Sequence, residues 1–278
     1  GGMMSSTENA SARGPRAEKK RSLDSTDASR EDRENVVLAL ALNYRNDPQR
    51  ANRVQATFEY IRGWYESLQQ HSGMKGVVLT NMYVDSFKEQ YESEQVKFQY
   101  IDTEKDPSFS EHRDGKARSI NDQRYYIVEA FLRERQEDYK YVLMTDIHDV
   151  VFLNNPFHFM EAVDSALRAP QIFVGSEYSP GIPWVQNKWR ECMPSMKVQH
   201  QIFNAGILGA RTSTFLEFVK KMTQGLDKTP HGRNCNMAVF NKLCHEEYHA
   251  NLVTGWPVHT RFKNFNSATD GAAFIRHH

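Results

Sequence analysis

Two aspartates and a histidine follow directly after an apolar segment near the middle of the chain. Asp146, His148 and Asp149 come just after the apolar residues 141–145. In open α/β sheets ligands bind beyond the carboxyl ends of strands, which is where these side chains would stand. Residues three apart on a continuous strand point to opposite faces, so the chain must turn right after Asp146 if both carboxylates are to meet one ion. Two such oxygen ligands suit Mg²⁺ or Mn²⁺ bound together with substrate phosphates, and the alternative is a pair of solvated acids in a turn.

The elements around this segment alternate between strand and helix patterns. Residues 36–42 form a continuous apolar run, as in a strand that is covered on both faces. Apolar residues spaced by three and four across 54–68 predict one face of a helix, and residues 76–80, 96–100 and 139–145 are typical of further strands. This order predicts a three-layer α/β/α, Rossmann-like fold with a mostly parallel central sheet.

The second half of the chain is less regular. Residues 171–175 and 202–209 are predicted to be strands. Ser119 is expected to cap one helix, Thr214 is expected to cap another, and a last helix is predicted over about 236–247.

The charge balance and the apolar runs exclude some classes of protein. Lys and Arg number 35 against 35 Asp and Glu, so the formal net charge is zero and no general attraction to nucleic acid is expected. The longest apolar run, at 36–42, is far shorter than the roughly 20 residues of a membrane helix, so no membrane segment is expected.

The two ends of the chain differ in composition from its centre. Residues 1–34 contain a single branched aliphatic residue, Leu23, and are predicted to be a disordered tail or stalk. Residues 35–278 are expected to form a single domain. Gly1-Gly2 and His277-His278 resemble residues left by cloning.

Three cysteines leave the compartment open. Cys192, Cys235 and Cys244 are too few for a disulfide scaffold, and they are either buried thiols or one disulfide with a spare thiol. Cys235 and Cys244 would lie about 13 Å apart along one helix, so a disulfide would have to include Cys192.

Three segments, in this order, resemble motifs of the GT-A glycosyltransferases, the nucleotide-diphospho-sugar transferases. Residues 145–152 (TDIHDVVF) with the Asn-Pro-Phe at 155–157 are similar to the DxD region in versions that read TD-x-x-DVVF and NPF. Residues 203–207 resemble the family's NAG strand, and residues 236–241 resemble its DMAVFN-type helix start. The resemblance extends loosely over about residues 35–265.

Two positions depart from the family pattern. The acids are spaced as D-x-x-D and not as D-x-D, so the resemblance alone does not decide which of Asp146, His148 and Asp149 touches metal. Asn236 stands where the family often has an acid, which weakens its candidacy as a catalytic base.

The resemblance implies a metal-dependent transferase that moves a hexosyl or pentosyl group from a UDP- or GDP-linked sugar to a hydroxyl acceptor such as a glycan. It implies a single GT-A catalytic domain at 35–278. Residues of about 35–150 would bind the nucleotide sugar, and residues of about 151–265 would bind the acceptor. The expected cofactor is Mn²⁺ or Mg²⁺, which would neutralise charge on the departing nucleoside diphosphate.

The resemblance also assigns metal ligands, and position at the sheet edge and positive charge add further residues for the donor. Asp149 is expected to bind the cation, Asp146 to share it or to hold the ribose, and His259 to supply a third ligand. Lys116 and Arg118 fit either a diphosphate contact or a solvated basic patch. The residues assigned to the nucleotide sugar are Asn43, Tyr44, Arg45, Arg124, Asp146, Ile147 and His148.

The catalytic and acceptor residues follow from the second half. Glu177 is the candidate base of an inverting reaction, Asn236 is the second catalytic candidate, and a retaining reaction would rely on the leaving phosphate. The tryptophans fit either a sugar platform or the core. The residues assigned to the acceptor are Glu177, Trp184, Trp189, Asn204 and Gly206.

Two other functions compete with this one. A strand that ends in acids also occurs in phosphoryl and nucleotidyl transferases, although no G-x-x-x-x-G-K-[ST] phosphate loop is present. A non-catalytic carbohydrate-binding module with a decayed site is the second alternative. A stalk before the domain fits a Golgi-lumen enzyme, and a cytoplasmic enzyme fits the cysteines equally well.

Overall fold

The structure is a computed structural model in which Arg33–His278 forms one unit. It describes residues 33–48, 51–109, 118–177, 183–195, 201–260 and 272–278, with the side chains of 183–186 excepted.

Nine strands and seven helices lie within the described residues. The strands are β1 (Glu34–Ala41), β2 (Lys75–Thr80), β3 (Val96–Tyr100), β4 (Tyr139–Thr145), β5 (Val150–Phe152), β6 (Ile172–Glu177), β7 (Ile202–Arg211), β8 (Leu252–Thr254) and β9 (Ile275–His277). The helices are α1 (Phe58–Gln69), α2 (Asp85–Tyr91), α3 (Ile120–Arg135), α4 (Phe157–Leu167), α5 (Pro183–Cys192), α6 (Thr212–Leu226) and α7 (Asn236–Glu246).

Seven of the strands form one mixed, mostly parallel sheet. Its order is β3-β2-β1-β4-β7-β6-β8, and β7 alone runs antiparallel to its two neighbours. The predicted α/β class and mostly parallel sheet are confirmed, and the architecture is consistent with a Rossmann-like fold. The chain moves outward from β1 to β3 and then returns to β4 on the other side of β1. The carboxyl ends of β1 and β4 therefore flank a topological switch point, where such sheets bind ligands.

The first strand shows why its sequence is apolar without interruption. Val36 and Leu38 belong to one core cluster, which also includes buried residues of α3, α6 and α7. Val37 and Ala39 belong to a second cluster, which includes buried residues of α1. Both sets of side chains are fully buried, so β1 has no face that tolerates a polar residue.

The start of α3 follows its sequence signal, whereas α6 does not. The Ser119 hydroxyl accepts a hydrogen bond from the backbone N–H of Asp122 at 3.1 Å, as a capping residue does. Helix α6 begins at Thr212, before the predicted cap at Thr214, and its N-terminus carries no side-chain capping bond.

A disulfide joins the end of α5 to the residue before α7. Cys192 and Cys235 are bonded, and Cys244 is a free, buried thiol. Of the two expectations from the sequence, the structure therefore agrees with one disulfide that includes Cys192 and disagrees with three buried thiols. Across the described residues, no helix combines the length and the apolar character needed to cross a membrane.

We expect the double variant Cys192→Ala/Cys235→Ala to lose about 2 to 4 kcal/mol of unfolding free energy, because the bond closes a loop between residues 43 positions apart. Urea unfolding with and without dithiothreitol measures this loss. The reductant should lower the wild-type and Cys244→Ala midpoints and leave that of the double variant unchanged. A wild-type midpoint that ignores the reductant would contradict the pairing.

Candidate metal centre

The chain turns directly after β4, as the two aspartates require. Strand β4 ends at Thr145, residues 147–149 form a bend, and β5 begins at Val150. The backbone N–H of Asp146 donates to the carbonyl oxygen of Gly206 on β7 at 2.9 Å. Asp146 is therefore held at the carboxyl edge of the sheet by its own backbone.

Asp146, Asp149 and His277 converge on one point. Each offers one ligand atom, and the three atoms lie within 4.8 Å of one another. Nε2 of His277 is 3.6 Å from Oδ2 of Asp146 and 3.6 Å from Oδ1 of Asp149. The carboxylates are 37% and 31% exposed, whereas the imidazole is 3% exposed. Two solvent-facing carboxylates above a buried imidazole form a candidate site for one divalent cation.

The last strand positions His277. Strand β9 pairs antiparallel with β5, so that Val150 lies opposite His277. The N–H of His278 also donates to the carbonyl oxygen of Asp149 at 2.8 Å. The backbone that follows Asp149 therefore fixes the imidazole beside the carboxylates.

Gly206 allows β7 to lie against this cluster. A Cβ atom at this position would stand 2.5 Å from Oδ2 of Asp146, 2.5 Å from Cε1 of His277 and 2.8 Å from Oδ1 of Asn204. No real side chain fits at such distances, so the site requires glycine here. Gly206, which sequence reasoning assigned to the acceptor, borders the metal cluster.

Arg124 on α3 holds the first aspartate. Its Nη1 donates to Oδ1 of Asp146 at 2.7 Å, and its Nη2 donates to the carbonyl oxygen of Ala205 at 3.0 Å. Burial alone would lower the pKa of Arg124, but Tyr125 and Asp146 outweigh it and raise that pKa, so the guanidinium stays charged. One oxygen of Asp146 is thus occupied, and the other faces His277.

Glu177 and Asn204 form a buried pair next to the cluster. The Asn204 amide donates to Oε1 of Glu177, and its Oδ1 accepts from the N–H of Gly206 at 2.6 Å. Both side chains are buried. A single amide therefore connects the carboxylate at the end of β6 to the glycine that borders the cluster.

Asn236 lies at the start of α7 in a structural contact. Its Nδ2 donates to Oδ1 of Asp122 at 3.0 Å and to Oδ1 of Asn234 at 2.5 Å, and its backbone N–H donates to Asp122 at 2.7 Å. Burial raises the pKa of Asp122, and the N–H donors oppose this shift. Asn236 uses its side-chain donors to fix the N-terminus of α7.

Three of the residues assigned to the nucleotide sugar, Asn43, Tyr44 and Arg45, lie beyond the carboxyl end of β1. The N–H of Asn43 donates to Oδ1 of Asn81 at 2.9 Å, and the Asn81 amide donates back to Oδ1 of Asn43 at 3.2 Å. Tyr44 packs edge-on against the Phe109 ring, and the Arg45 guanidinium donates to the backbone carbonyl of residue 118 at 2.7 Å.

Arg118 itself is buried and is not part of a solvated basic patch. Its buried guanidinium donates to the carbonyl oxygen of Leu226 at 2.9 Å and to Oδ1 of Asp227 at 3.2 Å, at the end of α6. Lys116 lies outside the described residues.

The two residues between the aspartates point in different directions. Ile147 is buried in the second core cluster. His148 is exposed, and its ring stacks on Tyr60 with centroids 4.9 Å apart. His148 lines the same bend as the aspartates without being one of the three clustered ligands.

Of the two tryptophans assigned to the acceptor, Trp189 is buried in the first core cluster. This position agrees with the core alternative. The side chain of Trp184 lies outside the described residues.

His259, the predicted third ligand, is used elsewhere. Its Nε2 accepts from the N–H groups of Ser176 at 3.1 Å and Gly255 at 3.0 Å, and its Nδ1 lies 2.6 Å from the carbonyl oxygen of Thr260. Burial lowers the pKa of His259, which favours the neutral ring that these contacts need. Neither nitrogen is left with a lone pair for a metal, so among the described residues His277 takes the place proposed for His259.

Comparison with known proteins adds no family to this geometry. No protein-family model matches the chain, and no curated protein sequence matches it either. Fold and site together define an α/β protein with a mostly parallel sheet and a candidate divalent-metal cluster at the carboxyl edge of that sheet.

The neutral state of His259 predicts a pH dependence of stability. As pH falls below about 6.5, the unfolded chain binds a proton that folded His259 resists, so this residue lowers the unfolding free energy by up to about 1.4 kcal/mol per pH unit. Above that pH the ring is neutral in both the folded and the unfolded chain, so this loss of stability is absent. Urea unfolding between pH 5 and 8 should show a shallower slope for His259→Gln than for wild type. Equal slopes would contradict the assignment.

Proposed function

We propose that the chain is a metal-dependent glycosyltransferase with a three-layer GT-A fold, which transfers a sugar from a nucleotide-diphosphate sugar to a hydroxyl acceptor, with a glycan as the favoured acceptor. The observation that carries this proposal is the convergence of Asp146, Asp149 and His277 at the carboxyl edge of a mostly parallel sheet. The cluster stands on the segment that resembles the family's DxD region, beside the switch point where such sheets bind ligands.

The donor atoms fit a divalent cation. Two carboxylates suit Mg²⁺ or Mn²⁺, and an imidazole is a better ligand for the transition metal, so the set favours Mn²⁺. A Cβ atom at position 206 would collide with both Asp146 and His277, and glycine leaves that space open. When bound there, the cation would neutralise charge on the diphosphate as the bond between sugar and phosphate breaks.

The donor nucleotide is proposed to bind on the β1 side of the cluster. Asn43 and Asn81 present paired amide groups there, suited to hydrogen bonds with a base or ribose. Arg124 acts through Asp146, because its guanidinium occupies one carboxylate oxygen and keeps the other directed at the cluster. The donor is proposed to be UDP- or GDP-linked.

The acceptor is proposed to bind on the β6 side. Glu177 stands at the end of β6, and Asn204 fixes the direction of its carboxylate. In an inverting reaction Glu177 would take the proton of the acceptor hydroxyl. In a retaining reaction the departing phosphate would serve instead, and Glu177 would bind acceptor hydroxyls.

The disulfide supports a location in an oxidising compartment. Bonds such as Cys192–Cys235 persist in the secretory pathway and are rare in the reducing cytosol. We therefore favour the Golgi lumen over the cytoplasm as the compartment of this transferase.

Two histidine variants test whether the nucleotide binds through the metal cluster. UDP or GDP at 100 times its dissociation constant should stabilise the wild type by about 2.7 kcal/mol, and only when Mn²⁺ is present. Because His277 and not His259 lies in the cluster, His277→Gln should abolish this shift, whereas His259→Gln should retain it. Thermal melting with Mn²⁺, nucleotide and both together measures the effect. A nucleotide shift that is independent of metal, or equal in the two variants, would refute the proposal.

Gly206 provides a test of the metal site alone. The variant Gly206→Ala should weaken Mn²⁺ binding by at least about tenfold, because its methyl group would intrude between Asp146 and His277. Gly63→Ala is the matched control, since its Cβ would meet Val151 at an ordinary 3.4 Å. Electron paramagnetic resonance titration of free Mn²⁺ gives both affinities, and equal affinities would show that the cation binds elsewhere.

A further inference from the structure

An exposed tryptophan stands apart from the residues used so far. Trp256 is 67% exposed, whereas Trp64 and Trp189 are almost fully buried. Of the tryptophans whose side chains the structure describes, Trp256 alone presents its ring to solvent. A large aromatic side chain in that state is a candidate contact for a ligand with an apolar face.

The position of Trp256 follows from the end of β8. Strand β8 is parallel to β6, and Thr254 lies opposite Val174. Residues that follow β8 therefore leave the sheet at the same carboxyl edge as Glu177. Gly255, with φ at +77°, turns the chain there and exposes the next residue.

His259 ties this turn to the end of β6. The same nitrogen atom, Nε2, accepts from the N–H of Gly255 and from the N–H of Ser176. Trp256 follows the first of these residues and Glu177 follows the second. The backbones that carry the indole and the carboxylate are thus joined through a single atom.

The residues after Trp256 are also bonded to the strand that carries His277. The carbonyl oxygen of Pro257 accepts from the N–H of Phe274 at 2.9 Å, and that of Val258 accepts from the N–H of Ile275 at 3.1 Å. The turn therefore lies between the Glu177–Asn204 pair and the segment that completes the metal cluster.

We propose that Trp256 is the stacking platform for a pyranose ring of the acceptor, so that the acceptor is a saccharide. This inference rests on the proposed function and adds a residue that binds the acceptor at the same site. The C–H face of the pyranose ring would stack on the indole of Trp256. The hydroxyl groups of the sugar would then face Glu177 at the end of β6. The contacts of His259 hold the backbone before Trp256 next to the backbone before Glu177.

Saturation-transfer difference NMR tests this binding without any nucleotide. The probes are the methyl glycosides of galactose, glucose, mannose and xylose, with glycerol as a polyol that lacks a ring. At least one glycoside should receive saturation on its ring C–H protons from the wild type. The signal should disappear in Trp256→Ala and persist in Trp256→Phe.

Tyr100→Ala is the matched control, because Tyr100 is 49% exposed and lies on β3, at the opposite edge of the sheet from β8. It should leave the signal unchanged. Thermal melting of each variant checks that the fold is intact. A wild type that gives no signal with any glycoside, or a Trp256→Ala variant that keeps the wild-type signal, would overturn the inference.

Kinetics with the glycoside that binds separate this inference from the proposed function. Trp256→Ala should raise the acceptor KM by about tenfold or more, whereas Tyr100→Ala should leave it unchanged. If nucleotide binding requires Mn²⁺ but Trp256→Ala leaves the acceptor KM unaffected, the role proposed for Trp256 is wrong and the proposed transferase function is retained. If the glycoside signal requires Trp256 but no nucleotide binds, Trp256 is a sugar-binding residue and the proposed transferase function is wrong.

Discussion

The close approach of two carboxylates and one imidazole at the end of β4 is the constraint on which the structure's chemistry depends. Like charges at such short range repel each other unless an opposite charge compensates for them. Arg124 supplies one positive charge through its bond to Asp146, and a divalent cation would supply the rest. Gly206 sets how near β7 lies, and β9 sets where His277 lies. The cluster is therefore built by backbone geometry from several distant parts of the chain.

The remaining contacts hold the surroundings of this cluster in place. Asp122 binds the N-terminus of α7 from the first turn of α3, the helix that carries Arg124, and the disulfide fastens α5 to the same point. On the other side, His259 joins the turn after β8 to the end of β6. The α3 side and the β6 side of the cluster thus have separate supports.

Local sequence signals predicted the elements that depend on local contacts. The apolar run of β4 and the Ser119 cap could be inferred because each is decided within a few residues. The turn after Asp146 was a requirement of the metal hypothesis, and the structure has it. Three short strands, β5, β8 and β9, were missed because their pairing joins distant segments. His277 was set aside with His278 as a remnant of cloning, although Ile275 and His277 on either side of the charged Arg276 were a short signal for a strand. His259 was chosen for its place in the sequence, and only tertiary contacts reveal that its nitrogens are engaged.

The most direct test of the central claim is to locate the cation. Crystals soaked with MnCl₂ and UDP should give an anomalous scattering peak at about 2.0 to 2.3 Å from an oxygen of Asp146, an oxygen of Asp149 and Nε2 of His277, with the diphosphate on its open side. The absence of such a peak in crystals that contain bound UDP, or a peak coordinated by other residues, would contradict the account.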